Sequence, residues 1–222
     1  MSVDRYPWLK DEIDAYKNIN FSSSTIIEGE SGLGKQELAK YFAQTLLCSN
    51  ELLHTYSKAK KESLTSKKIE GVRSMNEFIA MSNSVSEQRV AVIFDAHLMN
   101  INAQNALLKT LEELPDNKYI FIVSNQRKYF LPTIYSRSSL ISIKNPDPHI
   151  VNQWILDQGY IDFSTLNFAP DSTPLEIERL INNDKAGQYI EISQNLNSYC
   201  LGETTTPDLM KFFKETNISF DE

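Results

Sequence analysis

Thr25-Ile26-Ile27-Glu28-Gly29-Glu30-Ser31-Gly32-Leu33-Gly34-Lys35-Gln36 is the stretch that decides the fold. A short β-branched apolar run leads into a glycine-rich segment of the form G-x-x-x-x-G-K. Beyond Lys35, Leu38, Ala39, Phe42, Ala43, Leu46 and Leu47 recur at helical spacing and give one apolar face. The order is strand, loop, helix, which is the context a phosphate-binding loop requires. Glycines let the backbone curl until successive N–H groups point at phosphate oxygens. The helix N-terminus adds partial positive charge, and Lys35 is placed to reach the terminal phosphates. Gly29, Gly32, Gly34, Lys35 and Gln36 are therefore the candidate nucleotide-binding residues. The rival reading is a glycine-rich turn that only packs.

Two departures weaken the catalytic reading. The motif asks for Ser or Thr after the lysine, to ligate Mg²⁺. Gln36 stands there, and its longer amide does not fit a compact octahedral shell. The second acidic motif, Val92-Ile93-Phe94-Asp95, ends in the expected carboxylate, but Ala96 follows where a water-activating Glu would serve. His97 comes next, and a strand-end His is read as a structural hydrogen-bonder before a base.

Outward from the loop, apolar runs alternate with helical patterns, the signature of a parallel α/β sheet. Val90 to Phe94 reads as a second strand and Tyr119 to Val123 as a third. Leu140 to Ile143 reads as a fourth. Ala103, Ala106, Leu107, Thr110 and Leu111 mark a helix ended by Pro115. Between Cys48 and Lys68 the signal degrades, and Ser57 to Ser63 reads as a solvated Lys-rich loop or helix face. A phosphate contact by Lys58 to Lys61 is the lesser reading. Asn145-Pro146-Asp147-Pro148 breaks regular structure and marks a domain junction. After it, Ile150 to Gln158, Thr173 to Asn182 and Ala186 to Leu196 read as helices. The expected division is an α/β domain over 1–145, a helical domain over 146–201 and a tail over 202–222, with a short helix near Leu209 to Phe213.

Composition narrows the function classes. The 222 residues are 41% hydrophobic and 23% charged, ordinary globular values that exclude a disordered, fibrous or coiled-coil chain. Lys and Arg number 22 against 29 Asp and Glu, a net charge of −7, which does not suit an autonomous DNA binder. No apolar run exceeds five residues, so no membrane span is expected. Asp4, Arg5, Lys10 and Asp11 leave no signal-peptide core. Cys48 and Cys200 make no disulfide framework and are too few for a zinc site. A cytoplasmic protein without zinc is expected.

Two further motifs carry a resemblance. Asn105-Ala106-Leu107-Leu108-Lys109-Thr110-Leu111-Glu112-Glu113 resembles a signature of the clamp-loader branch of the AAA+ proteins. Leu131-Pro132-Thr133-Ile134-Tyr135-Ser136-Arg137-Ser138 resembles that branch's Ser-Arg-Cys motif with its lead-in. With the altered phosphate loop, the chain is similar over about residues 20 to 200 to clamp-loader subunits of bacterial DNA polymerase III, of the delta-prime type.

The resemblance implies an AAA+ P-loop α/β domain, a small all-helical lid and a helical collar, of which this chain is expected to lack most or all. It implies a hetero-oligomeric ring with gamma/tau-type ATPases and a delta-type subunit, loading a sliding clamp onto primed DNA. Delta-prime-type members typically do not hydrolyse ATP; they lend an arginine in trans, which by motif match is Arg137. Asn125 matches the sensor position beside a γ-phosphate, although an Asn capping a turn reads equally well. Ser138 replaces the motif's Cys. The helix of Lys109, Glu112 and Glu113 would face the ring interior or a neighbour, with an ordinary solvated face as the rival. The four-cysteine zinc module is not matched, and no Gly-Ser-x-Arg sensor occurs in the lid, where Pro174-Leu175 stands and Arg179 lies further on.

The expected function is thus a non-hydrolysing clamp-loader subunit holding ATP or ADP weakly if at all. The alternative is an active ATPase of the same fold using Lys35, Asp95 and Asn125 in cis, disfavoured by Gln36 and Ala96. An unrelated nucleotide-binding enzyme such as a kinase would need neither the Asn105–Glu113 string nor Arg137.

Overall fold

A computed structural model describes residues 5–16, 22–47, 53–56, 66–80 and 88–215. The chain divides into two compact units, residues 1–146 and 147–222. The first is built on five parallel strands: β1 (Ser24–Glu28), β2 (Leu53–Tyr56), β3 (Arg89–Ile93), β4 (Lys118–Ser124) and β5 (Ser139–Ser142), in spatial order β2-β3-β4-β1-β5. Parallel strands inside such a sheet are covered on both faces and read as unbroken apolar runs. Ile26, Ile27, Val90, Ala91, Val92 and Ile122 accordingly lie fully out of solvent. β5, at the sheet edge, buries only Ile141.

Helix α1 (Lys10–Tyr16) follows a single 3₁₀ turn, Pro7–Leu9. α2 (Lys35–Leu47) starts in the phosphate loop and packs Leu38, Ala39, Phe42, Ala43 and Leu47 inward, with Phe42 and Phe121 rings 6.2 Å apart. Leu46 is half-buried at the margin of that face. α3 (Ser66–Ala80) and α4 (Ile101–Glu112) share a core with the sheet, through Val72, Met75 and Ile79 from one and Ala103 and Leu107 from the other. Asn100 caps α4, its side chain accepting from Ala103 N at 2.9 Å. α5 (Pro132–Tyr135) is one turn.

The expected strands are present with their bounds moved by one residue, and four elements were not expected, β2 and α3 along with the short helices α1 and α5. β2 is a four-residue edge strand, and Leu-His-Thr-Tyr has no apolar run to betray it. α3 shows Val72, Met75 and Ile79 at helical spacing but carries Gly71 and many polar residues. The Ser57–Ser63 segment and Cys48 lie outside the described residues.

The described part of the second unit is helical: α6 (Pro148–Asp157), α7 (Pro174–Asn182), α8 (Ala186–Cys200) and α9 (Thr206–Glu215). Asp147 caps α6 by accepting from His149 N at 2.8 Å, with Pro148 at the first helical position. Val151, Trp154 and Ile155 form its inward face. Phe168 stacks between Phe163 and Tyr189, at 6.3 and 5.9 Å.

Candidate functional site

β1, β4 and β3 are neighbours in the sheet, so their C-terminal ends bring Gly29, Asn125 and Asp95 to one edge. Ligands of open α/β sheets bind at that edge. The loop leaving β1 needs its glycines for its own backbone. Gly32 and Gly34 have φ of 82° and 78°. Gly29, at φ 154°, lies so close to the strand beside it that a Cβ would fall 2.5 Å from the Ile143 carbonyl oxygen.

The N-terminal segment closes over this loop. Trp8 Nε1 donates to Leu33 O at 3.0 Å, and Tyr6 and Leu9 stand against Gly34. Gly29, Leu33, Gly34 and Lys35 are all buried, while Gln36 is exposed. Lys35 Nζ donates to the loop's own Glu30 carbonyl. The curled glycine backbone fits a phosphate; the position after Lys35 offers no hydroxyl, so the metal half of the site does not fit.

Burial pushes the Lys35 ammonium down from its ordinary 10.5 to about 8, with Asp95 and Glu30 pulling it partly back up. The unfolded chain holds this proton up to about pH 10.5, the folded chain only to about 8. The unfolded state therefore binds more protons across that window, and folding gains stability as the pH rises through it. Relative to Lys35→Met, the wild type should gain on the order of 3 kcal/mol between the two ends. Denaturant titrations of both proteins, run in parallel at several pH values, measure this difference; a flat difference would contradict burial of an ammonium.

Asp95 is half-buried and sits in the left-handed region at φ 51°, leading into the 3₁₀ turn Ala96–Leu98. His97 Nδ1 accepts from Asn125 N at 3.2 Å, tying the ends of β3 and β4 together. That bond occupies the imidazole lone pair at Nδ1. The structural reading of His97 is the one this geometry supports, and Asn125 is half-buried beside it.

Arg137 lies elsewhere. It precedes β5, whose first residue, Ser139, is level with Thr25 near the start of β1. The phosphate loop begins beyond Glu28, at the other end of β1. Four to five residues at about 3.3 Å each put roughly 13–16 Å of strand between them. Arg137 Nη2 pairs with Glu112 Oε1 of α4 at 2.9 Å, and Nη1 donates to Thr133 O at 3.2 Å. Both side chains of that ion pair are exposed, at 39% and 45%, so it adds little stability and is open to exchange. Lys109 on the same helix and Glu113 just past its end are also exposed.

Sequence reading did not single out Glu28. Its Oε2 accepts from Tyr135 Oη at 2.9 Å and from Lys128 N at 3.3 Å, while its side chain is buried. Burial and this bond push the Tyr135 phenol up to about 12. A charged residue ending an otherwise apolar strand was the available signal.

A family model described as DNA polymerase III, delta subunit, matches residues 9–147, more than half of the chain. The chain belongs to that family. Among its relatives, DNA polymerase III subunit delta' of Haemophilus influenzae is 26% identical over 181 residues, covering 71% of this chain and 54% of that protein. The protein of the same description from Pseudomonas aeruginosa is 28% identical over 204 residues, 80% of this chain and 62% of that one. This family member thus spans a little over half the length of those relatives. A crystal structure of a DNA polymerase III gamma subunit-related protein from Thermotoga maritima superposes with a TM-score of 0.52 at 17% identity, covering 96% of this chain and 79% of that one. At that identity the likeness speaks for the fold, a parallel sheet flanked by helices and followed by further helices. Among the described residues of this family member, no helix is long and apolar enough to cross a membrane.

Proposed function

We propose that this chain is a delta-prime-type subunit of a DNA polymerase III clamp loader that does not hydrolyse ATP and supplies Arg137 to a neighbour. The observation that carries this reading is topological. Arg137 and the chain's own glycine-rich loop stand at opposite ends of the neighbouring strands β5 and β1, with roughly 13–16 Å of strand between them, which points the guanidinium away from its own loop. An exposed arginine at the far end suits donation across a subunit interface, where a planar guanidinium stabilises charge on a transferring phosphoryl group.

The state of the loop supports the other half of the reading. Trp8 and Leu9 close over it, Lys35 is bonded to Glu30, and Gln36 and Ala96 stand where metal binding and water activation would need other side chains. Gly29, Gly32, Gly34, Lys35, Gln36, Asp95 and Asn125 then form a relict site, holding ATP or ADP weakly and needing no zinc. The helical unit would be the lid, with domains over 1–145 and 146–201 and a tail from 202. The partners would be gamma/tau-type ATPases and a delta-type subunit in a cytoplasmic ring that places a sliding clamp on primed DNA. The test is reconstitution with those subunits, followed by size-exclusion chromatography. Wild-type and Arg137→Ala chains should co-elute equally well with the assembly, because the ion pair with Glu112 and the hydrogen bond to the Thr133 carbonyl that Arg137 makes in this chain are exposed. Failure of the wild type to co-elute would sink the proposal.

A further inference from the structure

β1 carries a polar side chain at each end, and both are buried, Ser24 at 2% and Glu28 at 4% exposure. Buried polar groups require partners. Each of these finds one on a different side of Arg137. Two residues before it, Tyr135 Oη donates to Glu28 Oε2 at 2.9 Å. One residue after it, Ser138 Oγ lies 2.8 Å from Ser24 Oγ. Ahead of the turn, Glu28 Oε2 also takes Lys128 N at 3.3 Å, and the buried Gln104 of α4 accepts from Leu131 N at 3.0 Å.

The element between these ties is α5, four residues long. One helical turn does not hold itself together, because nucleation fixes several residues for a single hydrogen bond. The place of Arg137 is therefore set by side chains that grip the segment from outside. The geometry points to Glu28 and Tyr135 as positioning residues for Arg137, a carboxylate–phenol latch on one side matched by the Ser24–Ser138 bond on the other. Glu28 is also the residue from which the phosphate loop departs, and its own carbonyl accepts from Ile143 N at 2.8 Å. The latch is thus anchored in a strand paired on both sides, to β4 and to β5.

This inference rests on reading Arg137 as a residue that acts in trans, and its test separates the two. Tyr135→Phe keeps the ring that packs against Phe130 at 6.0 Å and removes only the hydroxyl. Glu28→Ala cuts the latch from the other side, and Glu28→Gln retains an acceptor oxygen. Each variant, with Arg137→Ala alongside, is assembled into the reconstituted complex and assayed for ATP turnover with clamp and primed DNA. Thermal melts show which variants are folded at the assay temperature.

An arginine displaced by about an ångström should cost kcat about ten- to a hundredfold with KM for ATP unchanged. Tyr135→Phe and Glu28→Ala should each show that loss, and the double variant no more than Glu28→Ala alone, because that change already removes the hydroxyl's acceptor. Glu28→Gln should stay within about twofold of wild type. A role confined to stability would move the melting midpoint and leave kcat alone. If a folded Tyr135→Phe or Glu28→Ala turns over at the wild-type rate while Arg137→Ala does not, the latch is wrong and the trans role stands. If Arg137→Ala itself turns over at the wild-type rate, both fall.

Discussion

Replacing Arg137 with alanine should lower ATP turnover at the neighbouring subunit's site by about a thousandfold, the usual cost of a missing arginine finger. The expectation follows from charge and placement together. Nothing else in the Leu131–Ser138 segment is cationic. The substitution should be nearly silent for folding, because the guanidinium's partners in this chain are an exposed Glu112 carboxylate and the Thr133 carbonyl. Exposed pairs of that kind contribute about 0–1 kcal/mol. Arg137→Lys should recover little, since an ammonium cannot present the planar fork. Phosphate release by the reconstituted complex, with one finger-dependent site isolated by disabling the others, measures the effect. Unchanged turnover at that site would show that Arg137 is a surface residue paired with Glu112 and no more.

The second large effect is on stability. Gly29→Ala places a methyl carbon 2.5 Å from the Ile143 carbonyl oxygen, and it does so at φ 154°, a backbone conformation that costs an L side chain strain. The obstructing atom is backbone in the segment that follows β5, whose Ile143 N is bonded to Glu28 O, so it cannot swing aside. Strain and overpacking together should cost about 3 kcal/mol. For a chain of this size that is a fall of roughly 6–12 °C in the melting midpoint. Differential scanning calorimetry measures it, and the shift should be the same with and without ATP. A loss of nucleotide affinity at unchanged midpoint would mean that Gly29 serves phosphate and not the sheet.

That glycine illustrates what the sequence discloses and what it withholds. The G-x-x-x-x-G-K string announces a curled loop between strand and helix, and the structure has that loop. The string does not say what the curl is for, because phosphate contact and close backbone approach require the same residue. The apolar runs of β1, β3 and β4 were readable because both faces of each are covered, whereas β2 and α3 were not, since an edge strand and a half-exposed helix carry diluted patterns. Arg137 was readable because its motif is a contiguous string. The latch was not, as Glu28 and Tyr135 are 107 residues apart and only the pairing of β1 with β5 brings them together. Trp8 was equally silent, its bond to Leu33 spanning 25 residues.

The proposed function requires this chain's own loop to be catalytically idle. The direct measurement is a titration of the isolated chain with a fluorescent ATP analogue, with and without Mg²⁺, together with phosphate release in the same samples. An idle loop gives weak binding or none, no strengthening by Mg²⁺, and no release above the buffer rate. Tight Mg²⁺-dependent binding with turnover would contradict it, and would make Lys35, Asp95 and Asn125 an active site in cis.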